Sequence, residues 1–137
     1  DVTQIVRVFE NLITNAIKYS YKKEPILVNL YDTDKEGYVK ITVENSIEGI
    51  TDSEIDKMFE RFYRLEKSRS SETGGSGLGL AISESIVTIH KGKIYAEKKN
   101  EHTLVICVLL PVLNIWPWIS TGESFSLFPL CFGKIII

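Results

Sequence analysis

The sequence has little of several features that would place it in a specialised class of protein. Its two cysteines, Cys107 and Cys131, are too few for a disulfide framework, and Cys107 lies in an apolar run that predicts a buried thiol. A net charge of −2 shows no large excess of either sign, so we expect no nucleic-acid partner and no contact with an anionic membrane. There is no signal-peptide pattern, and we expect no uncharged apolar segment of about 18 residues to span a bilayer.

The remaining composition is that of an ordinary globular domain. Hydrophobic residues make up 44% of the 137 residues and charged residues 25%, which is enough for one domain with a substantial core. No internal repeat is present. The chain begins at Asp1 without a methionine, and we therefore expect it to be a piece of a longer protein.

A glycine-rich stretch at residues 74–79 is the most distinctive local feature of the sequence. Four of the six residues from 74 to 79 are glycine, and an apolar-periodic run follows at once. Leu78, Ile82, Ile86 and Ile89 share one face, which predicts a helix over residues 78–90. Glycines before a helix N-terminus expose N–H groups and the positive end of a dipole, which favours phosphate; the alternative is a flexible hinge. No Lys-Ser/Thr pair follows and no strand precedes, so neither a P-loop nor a Rossmann fingerprint is present.

Residues 1–20 are predicted to form an amphipathic helix. Asn11 and Asn15 fall roughly 40° apart at the edge of its apolar stripe, with Lys18 beside them. Asparagine is a mediocre helix former, so the pair either is solvated, ties a nearby loop, or supplies amide oxygens to a hard cation such as magnesium. The residues expected to face the core are Ile5, Val8, Phe9, Leu12, Ile13 and Ala16.

Alternating apolar residues predict four strands, around residues 26–30, 39–43, 93–97 and 103–110. The first two are expected to form a half-buried antiparallel pair joined by a hairpin turn at residues 32–37. Asn45 ends the second strand, just before a turn that contains Gly49. Such a side chain either presents a hydrogen-bonding group to a pocket or belongs to a plain strand-to-helix turn.

Two further segments follow this turn. Thr51 and Glu54 have the spacing of a capping box and predict a helix start. Residues 59–64 hold three aromatic side chains and two arginines, a density more typical of a core or loop anchor than of a ligand platform. Residues 65–75 have too little apolar content to be held by burial, so we expect a mobile loop that serves as a lid over a phosphate site.

Taken together, these segments resemble the catalytic ATP-binding domain of sensor histidine kinases, within the gyrase, Hsp90, histidine kinase and MutL ATPase group. Residues 11–19 (NLITNAIKY) resemble the N box and residues 45–49 stand at the G1 position. Residues 59–64 resemble the F box and residues 75–80 (GSGLGL) the G2 box. The sequence of residues 62–75 is similar to the corresponding segment of sensor kinases of the vancomycin-resistance type. The four boxes occur in the right order, and the resemblance covers residues 1–111.

The resemblance implies an α+β fold of the Bergerat type. It is a two-layer α/β sandwich with a mixed, largely antiparallel sheet, helices on one face, and ATP held between the helices and a lid. Residues 1–111 would form the ATP-binding domain. Residues 112–137 would be an atypical hydrophobic C-terminal tail with no clear helix or strand period, exposed and prone to aggregation.

The resemblance also assigns a role to each matching residue, although it marks none as catalytic. Asn15 would bind magnesium with Asn11 beside it, Lys18 and Arg64 would reach the phosphates, and Tyr19 would line the pocket.

At the other end of the site, Asn45 would face the adenine amino group, and Gly49 and Ile50 follow it in the same box. The G2 box would offer main-chain N–H groups to the phosphates and start the helix, through Gly75, Gly77, Leu78, Gly79 and Leu80.

The function implied is that of the ATP-binding domain of a two-component sensor kinase, with ATP and magnesium as cofactors. It would donate the γ-phosphoryl group to a histidine on a dimerisation domain absent from this chain, and a response regulator would be the next partner in the phosphorelay. His90 and His102 lack the context of that histidine, and we expect both to be structural or exposed. The resemblance places the domain in the cytoplasmic part of a membrane-bound sensor.

Two other functions fit the same residues: a serine kinase of the anti-sigma type, and a non-catalytic interaction module. The interaction module is suggested by a departure from the usual G1 pattern, which is Asp-x-Gly-x-Gly. Asn45 replaces the aspartate and keeps an acceptor without the charge. Ile47 replaces the first glycine, and it would be strained if the turn required positive φ there, so Ile47→Gly would then strengthen nucleotide binding.

Overall fold

Over the residues that the structure describes, the fold combines three helices with one five-stranded sheet. The computed structural model describes residues 1–21, 24–33, 37–63, 77–112 and 132–136. In chain order, the elements are α1 (Val2–Tyr19), β1 (Leu27–Asp32), β2 (Tyr38–Ser46), α2 (Asp52–Lys57), α3 (Gly79–Ile89), β3 (Lys93–Asn100), β4 (Thr103–Pro111) and β5 (Phe132–Ile136).

The sheet has the strand order β3-β4-β2-β1-β5, and every described pair of strands is antiparallel. The long central pairing of β2 with β4 runs from Tyr38 opposite Pro111 to Ser46 opposite Thr103. The predicted antiparallel pair of the first two strands is confirmed, as Leu27 to Asp32 pair with Glu44 to Val39. Residues 34–36 of the predicted hairpin turn lie outside the described residues.

The fifth strand was not predicted from the sequence. Residues 132–136 pair antiparallel with β1, with Ile136 opposite Leu27 and Phe132 opposite Leu30. The tail was expected to show no clear strand period, and residues 132–136 (FGKII) do not alternate because Ile135 and Ile136 are adjacent. The segment is nevertheless a strand, because the free edge of β1 supplies its backbone hydrogen bonds.

Helices α1 and α3 pack on one face of the sheet, as the two-layer prediction requires. Asp1 caps α1 because its carboxylate accepts from the N–H of Thr3 at 3.0 Å. The buried residues of α1 are Val8, Leu12 and Ala16, and they meet core residues of the central strands such as Val43 and Ile106. The periodicity of α1 therefore identified the face of the helix that the sheet covers.

Helix α2 begins with the predicted capping box. The N–H of Glu54 donates to the Thr51 hydroxyl at 3.2 Å, and the Glu54 carboxylate accepts from the N–H of Thr51 at 2.8 Å. These two bonds satisfy N–H groups that a helix start leaves open.

One detail of the helix after the glycines differs from the prediction. Ile89 was expected on its buried face, yet this residue is 73% exposed. The buried positions of α3 are Ala81, Ser83, Ile86 and Val87. The helix therefore turns a slightly different face to α1 and the sheet, and a polar residue lies in the middle of it.

Each histidine has the structural or exposed setting that the sequence predicts. His90 ends α3, where its Nδ1 donates to the carbonyl oxygen of Ile86 at 2.8 Å. His102 is exposed in the turn between β3 and β4. Within the described ranges, no helix combines the length and the apolarity that a membrane crossing needs.

Cys107 is fully buried, which confirms the prediction from its apolar surroundings. It lies in β4 opposite Thr42 and Tyr95, and its thiol donates to the Glu97 carboxylate at 3.4 Å. Burial, reinforced by the negative charge of Glu97, raises the pKa of the Cys107 thiol from 9.0 to about 11. The thiolate is the reactive form, so this environment protects the thiol.

Thiol labelling tests this environment. In a Cys131→Ser variant at pH 8, a thiol reagent should modify Cys107 more than about 100-fold more slowly in the folded protein than in denaturant, because a two-unit rise in pKa alone removes that much thiolate. Equal rates in the two states would contradict the burial of Cys107.

Candidate functional site

The edge of α1 that carries the two asparagines faces the first turn of α3. The Asn11 side-chain Nδ2 donates to the carbonyl oxygen of Gly79 at 3.5 Å and to the hydroxyl oxygen of Ser83 at 3.4 Å. A Cβ built at Gly79 would lie 3.7 Å from Nδ2 of Asn15 and 3.9 Å from Cγ of Asn11. The tertiary structure thus brings the predicted N box and the predicted G2 box into direct contact.

The first turn of α3 retains its open N–H groups. Leu78 stands at the N-cap position with φ of −103° and ψ of −20°, and no side chain among the described residues caps this end of the helix. Uncapped N–H groups at a helix start favour an anionic group, as the glycine pattern predicted. Leu80 is half-buried and packs against the core, so it anchors this turn.

The C-terminal end of α1 carries the other two predicted N-box residues. The Lys18 ammonium lies 5.1 Å from the centroid of the Tyr19 ring, within the range of a cation–π contact. Both side chains are half-buried, and they follow Asn15 by one turn on the same helix. A cation is therefore present near the asparagine pair, where a phosphate would need one.

Gly77 closes the site on the side of the F box. It has φ of +69°, and its carbonyl oxygen accepts from the N–H of Phe62 at 3.0 Å. Phe62 itself has φ of +65° and a 72% exposed side chain. The F-box aromatics were expected to be core residues or loop anchors; Phe59 and Tyr63 pack against the core, whereas the Phe62 side chain does not. The backbone turn at Phe62 directs its ring away from the core.

Asn45 is a buried amide in the last part of β2. It pairs with Leu104 across β4 and, by the two-residue alternation of a strand, shares the helix-covered face with Val43 and Ile47. Its Nδ2 donates to the carbonyl oxygen of Ser46 at 3.1 Å, while no described residue donates to its Oδ1. A buried carbonyl oxygen without a donor is costly, so the position suits a ligand that brings one.

The turn after β2 corrects the interpretation of Ile47. Ile47 does not have positive φ. Its N–H donates to the carbonyl oxygen of His102 at 2.9 Å, and its side chain is only 4% exposed. Gly49, with φ of +68°, takes the left-handed position instead. Ile47 is therefore an unstrained core residue, and the expectation of strain at this position is wrong.

The other predicted site residues divide into two groups. Ile50 is buried in the same core cluster as Ile47, and Gly49 is exposed with open space around its Cα. Arg64, Gly75 and the predicted lid at residues 65–75 lie outside the described residues. One residue at the site was missed from the sequence: Ser83, whose small polar side chain within an apolar helical run was the available signal.

Residues 1–114 match the family described as histidine kinase-, DNA gyrase B-, and HSP90-like ATPase, and the chain belongs to this family. It is 42% identical over 111 residues to the sensor protein VanSC of Enterococcus gallinarum, and 37% identical over 111 residues to the sensor protein kinase WalK of Staphylococcus aureus. Each match covers 81% of this chain, which spans 30% of the first relative and 27% of the second.

Solved structures agree with this assignment. The mycobacterial sensor histidine kinase MprB matches with a TM-score of 0.69 at 30% identity, over 81% of this chain and 72% of that one. The catalytic domain of the histidine kinase ThkA matches with a TM-score of 0.67 at 30% identity, over 81% and 68% of the two chains. The fold is that of histidine kinase catalytic domains, as the four boxes predicted.

Proposed function

We propose that this domain binds magnesium–ATP between α1 and α3 and supplies the γ-phosphoryl group to a histidine on a dimerisation domain outside the described chain. The observation that carries the proposal is the contact between Asn11 and Gly79. It places the amide pair of α1 beside the uncapped start of α3. Amide oxygens and open N–H groups suit a magnesium ion and a phosphate chain, respectively.

The residues present fit both cofactors. Asn15 would hold magnesium with Asn11 beside it, and neither amide oxygen has a donor among the described residues. Gly77 and Gly79 would offer backbone N–H groups to the phosphates, and at Gly79 the lack of a side chain leaves room for close approach. The magnesium ion, when bound, supplies positive charge that offsets the charge of the phosphates.

The remaining residues would complete the pocket. Lys18 and Arg64 would reach the phosphates, and Tyr19 would line the wall. The buried Oδ1 of Asn45 would accept from the adenine amino group, because it is the acceptor that the strand leaves open. The G1, G2 and helix residues Gly49, Ile50, Gly75, Leu78 and Leu80 would shape the rest of the cavity.

The proposed partners follow from the relatives. A dimerisation domain that carries the phosphoacceptor histidine and a response regulator would complete a two-component relay, with this domain on the cytoplasmic side of a membrane-bound sensor. The unstrained G1 turn supports nucleotide binding over the non-catalytic alternative, since Ile47 does not have positive φ and the left-handed position is taken by Gly49, which the usual pattern also has.

Titration calorimetry with a non-hydrolysable ATP analogue tests the binding step, with magnesium and with a chelator. We expect binding that tightens when magnesium is present. The transfer step is tested by adding ATP and a separately produced dimerisation domain of the same kinase, followed by detection of an acid-labile phosphohistidine. An analogue that does not bind under either condition would leave the interaction-module function in place of this proposal.

Replacing Asn15 by alanine should weaken magnesium-dependent binding of the analogue at least about tenfold, a loss of roughly 1.4 kcal/mol. The thermal unfolding midpoint should hardly change, because no described residue forms a hydrogen bond to this side chain and it is only half-buried. Thr14→Ala is the matched control, since Thr14 is the exposed neighbour on the same helix. Wild-type affinity in Asn15→Ala would remove the metal assignment.

A further inference from the structure

Ser83 is a fully buried polar residue that no motif explains. It lies on α3 one turn after Gly79, with 0% of its surface exposed, among apolar core residues such as Ile86 and Val87. Its hydroxyl donates to the carbonyl oxygen of Gly79 at 2.9 Å. A serine that bonds back by one turn is common in helices, and that bond alone satisfies only the donor of the hydroxyl.

The acceptor side of the same hydroxyl faces α1. Nδ2 of Asn11 lies 3.4 Å from the Ser83 oxygen and 3.5 Å from the carbonyl oxygen of Gly79, so the amide nitrogen donates to two neighbouring acceptors on α3. The Gly79 carbonyl can only accept, which fixes the amide with its nitrogen toward α3. Asn11, Ser83 and Gly79 therefore form a closed ring of three hydrogen bonds.

This ring leaves Oδ1 of Asn11 as the open acceptor of the amide. Because Nδ2 is the atom that donates to α3, Oδ1 remains for a ligand, and no described residue donates to that oxygen. Cγ of Asn11 lies 3.9 Å from a Cβ built at Gly79, and Nδ2 of Asn15 lies 3.7 Å from it. Both asparagine side chains therefore lie beside Gly79 at the start of α3.

We propose that Ser83 is a positioning residue for the magnesium–nucleotide site. Its buried hydroxyl holds the Asn11 amide in one orientation, so that the amide oxygen is available to the metal or its water ligands next to Asn15. The inference rests on the proposed function. Without the hydroxyl, the Asn11 amide has a single long bond to Gly79 and is free to rotate, so part of the binding free energy is lost in ordering it.

Helix α3 itself contains a matched control. The hydroxyl of Ser85 donates to the carbonyl oxygen of Ala81 at 3.0 Å, which is the same kind of bond to the residue four positions earlier. Ser85 is exposed, and its hydroxyl forms no hydrogen bond with a described residue of α1. Ser85→Ala therefore removes the same kind of local hydrogen bond without touching the asparagine, whereas Ser83→Ala removes both the local bond and the ring.

The experiment measures the dissociation constant of a non-hydrolysable ATP analogue, with magnesium and with a chelator, for wild type, Ser83→Ala, Ser85→Ala, Asn11→Ala and the double variant Asn11→Ala/Ser83→Ala. We expect Ser83→Ala to weaken binding roughly 3- to 10-fold with magnesium, about what one or two hydrogen bonds contribute, and less than about 2-fold without it. Ser85→Ala should match wild type. The double variant should bind no more weakly than Asn11→Ala, because Ser83 acts through Asn11.

Three results would overturn the inference: wild-type affinity in Ser83→Ala, an equal loss with and without magnesium, or losses that add in the double variant. If Ser83→Ala fails to fold, Ser83→Cys takes its place, since the thiol has a similar volume and is a weaker acceptor, and the same magnesium-dependent loss is expected. A different result would contradict the proposed function: a wild type that binds no analogue, or an Asn15→Ala variant that binds as well as wild type.

Discussion

Replacing Ile47 by glycine should destabilise the domain by roughly 3 to 6 kcal/mol. The side chain is 4% exposed and packs in the core cluster with Ile50 and Met58. Removal of a buried isoleucine side chain costs about 2 to 5 kcal/mol, and glycine adds about 0.5 to 1 kcal/mol of backbone entropy. Because the total free energy of unfolding of a small domain is about 5 to 15 kcal/mol, the variant should retain only a small part of its stability.

Urea or thermal unfolding followed by circular dichroism measures this loss. Ile47→Ala should show most of it, and Ile17→Ala should show almost none, since Ile17 is a 59% exposed isoleucine on the outer side of α1. Nucleotide affinity is measured on whatever fraction remains folded. A stable Ile47→Gly variant that binds the ATP analogue more tightly than wild type would restore the idea of a strained turn.

Replacing Gly77 by alanine should cost roughly 2 to 4 kcal/mol and abolish tight nucleotide binding. A Cβ at this position would lie 2.9 Å from Cα and the carbonyl carbon of Phe62 and from the carbonyl oxygen of Tyr63. All three are backbone atoms, so relief requires a shift of the chain. The φ of +69° adds the strain of a left-handed residue, about 1 to 3 kcal/mol in such sites.

Gly79→Ala separates the backbone effect from the effect on the ligand. Its Cβ would meet Asn15 and Asn11 at 3.7 and 3.9 Å, which is ordinary van der Waals contact, so the thermal midpoint should stay the same or rise slightly. The added methyl group would nevertheless stand beside the two amides and weaken binding of the magnesium–analogue complex. Equal stability of Gly77→Ala and Gly79→Ala would contradict the close approach at Gly77.

Local sequence patterns identified most of the fold because helix periodicity, helix capping and strand alternation depend on residues that are close together in the chain. The periodicity of α1 and the capping box at Thr51 follow from groups that a single element buries or caps. In β2 the alternation located the strand, although its last five residues, Thr42 to Ser46, are all buried. The strand β5 escaped this reasoning, as five residues become a strand only when another strand offers an edge. The exposure of Ile89 and Phe62 escaped it for a similar reason, since packing decides how far a face is covered.

For the site, the sequence by itself determined the chemical groups and their order along the chain: two amides one helical turn apart, a glycine run before a helix, and an amide at a strand end. Only the tertiary structure decided which of these groups touch, which is why it alone reveals the ring of Asn11, Ser83 and Gly79. It also decided that Ile47 belongs to the core and Gly49 to the left-handed turn. The physical reason is that residues far apart in sequence form hydrogen bonds and close contacts only when the helices pack on the sheet. The positions of the helices relative to one another and to the sheet are not encoded in any local pattern.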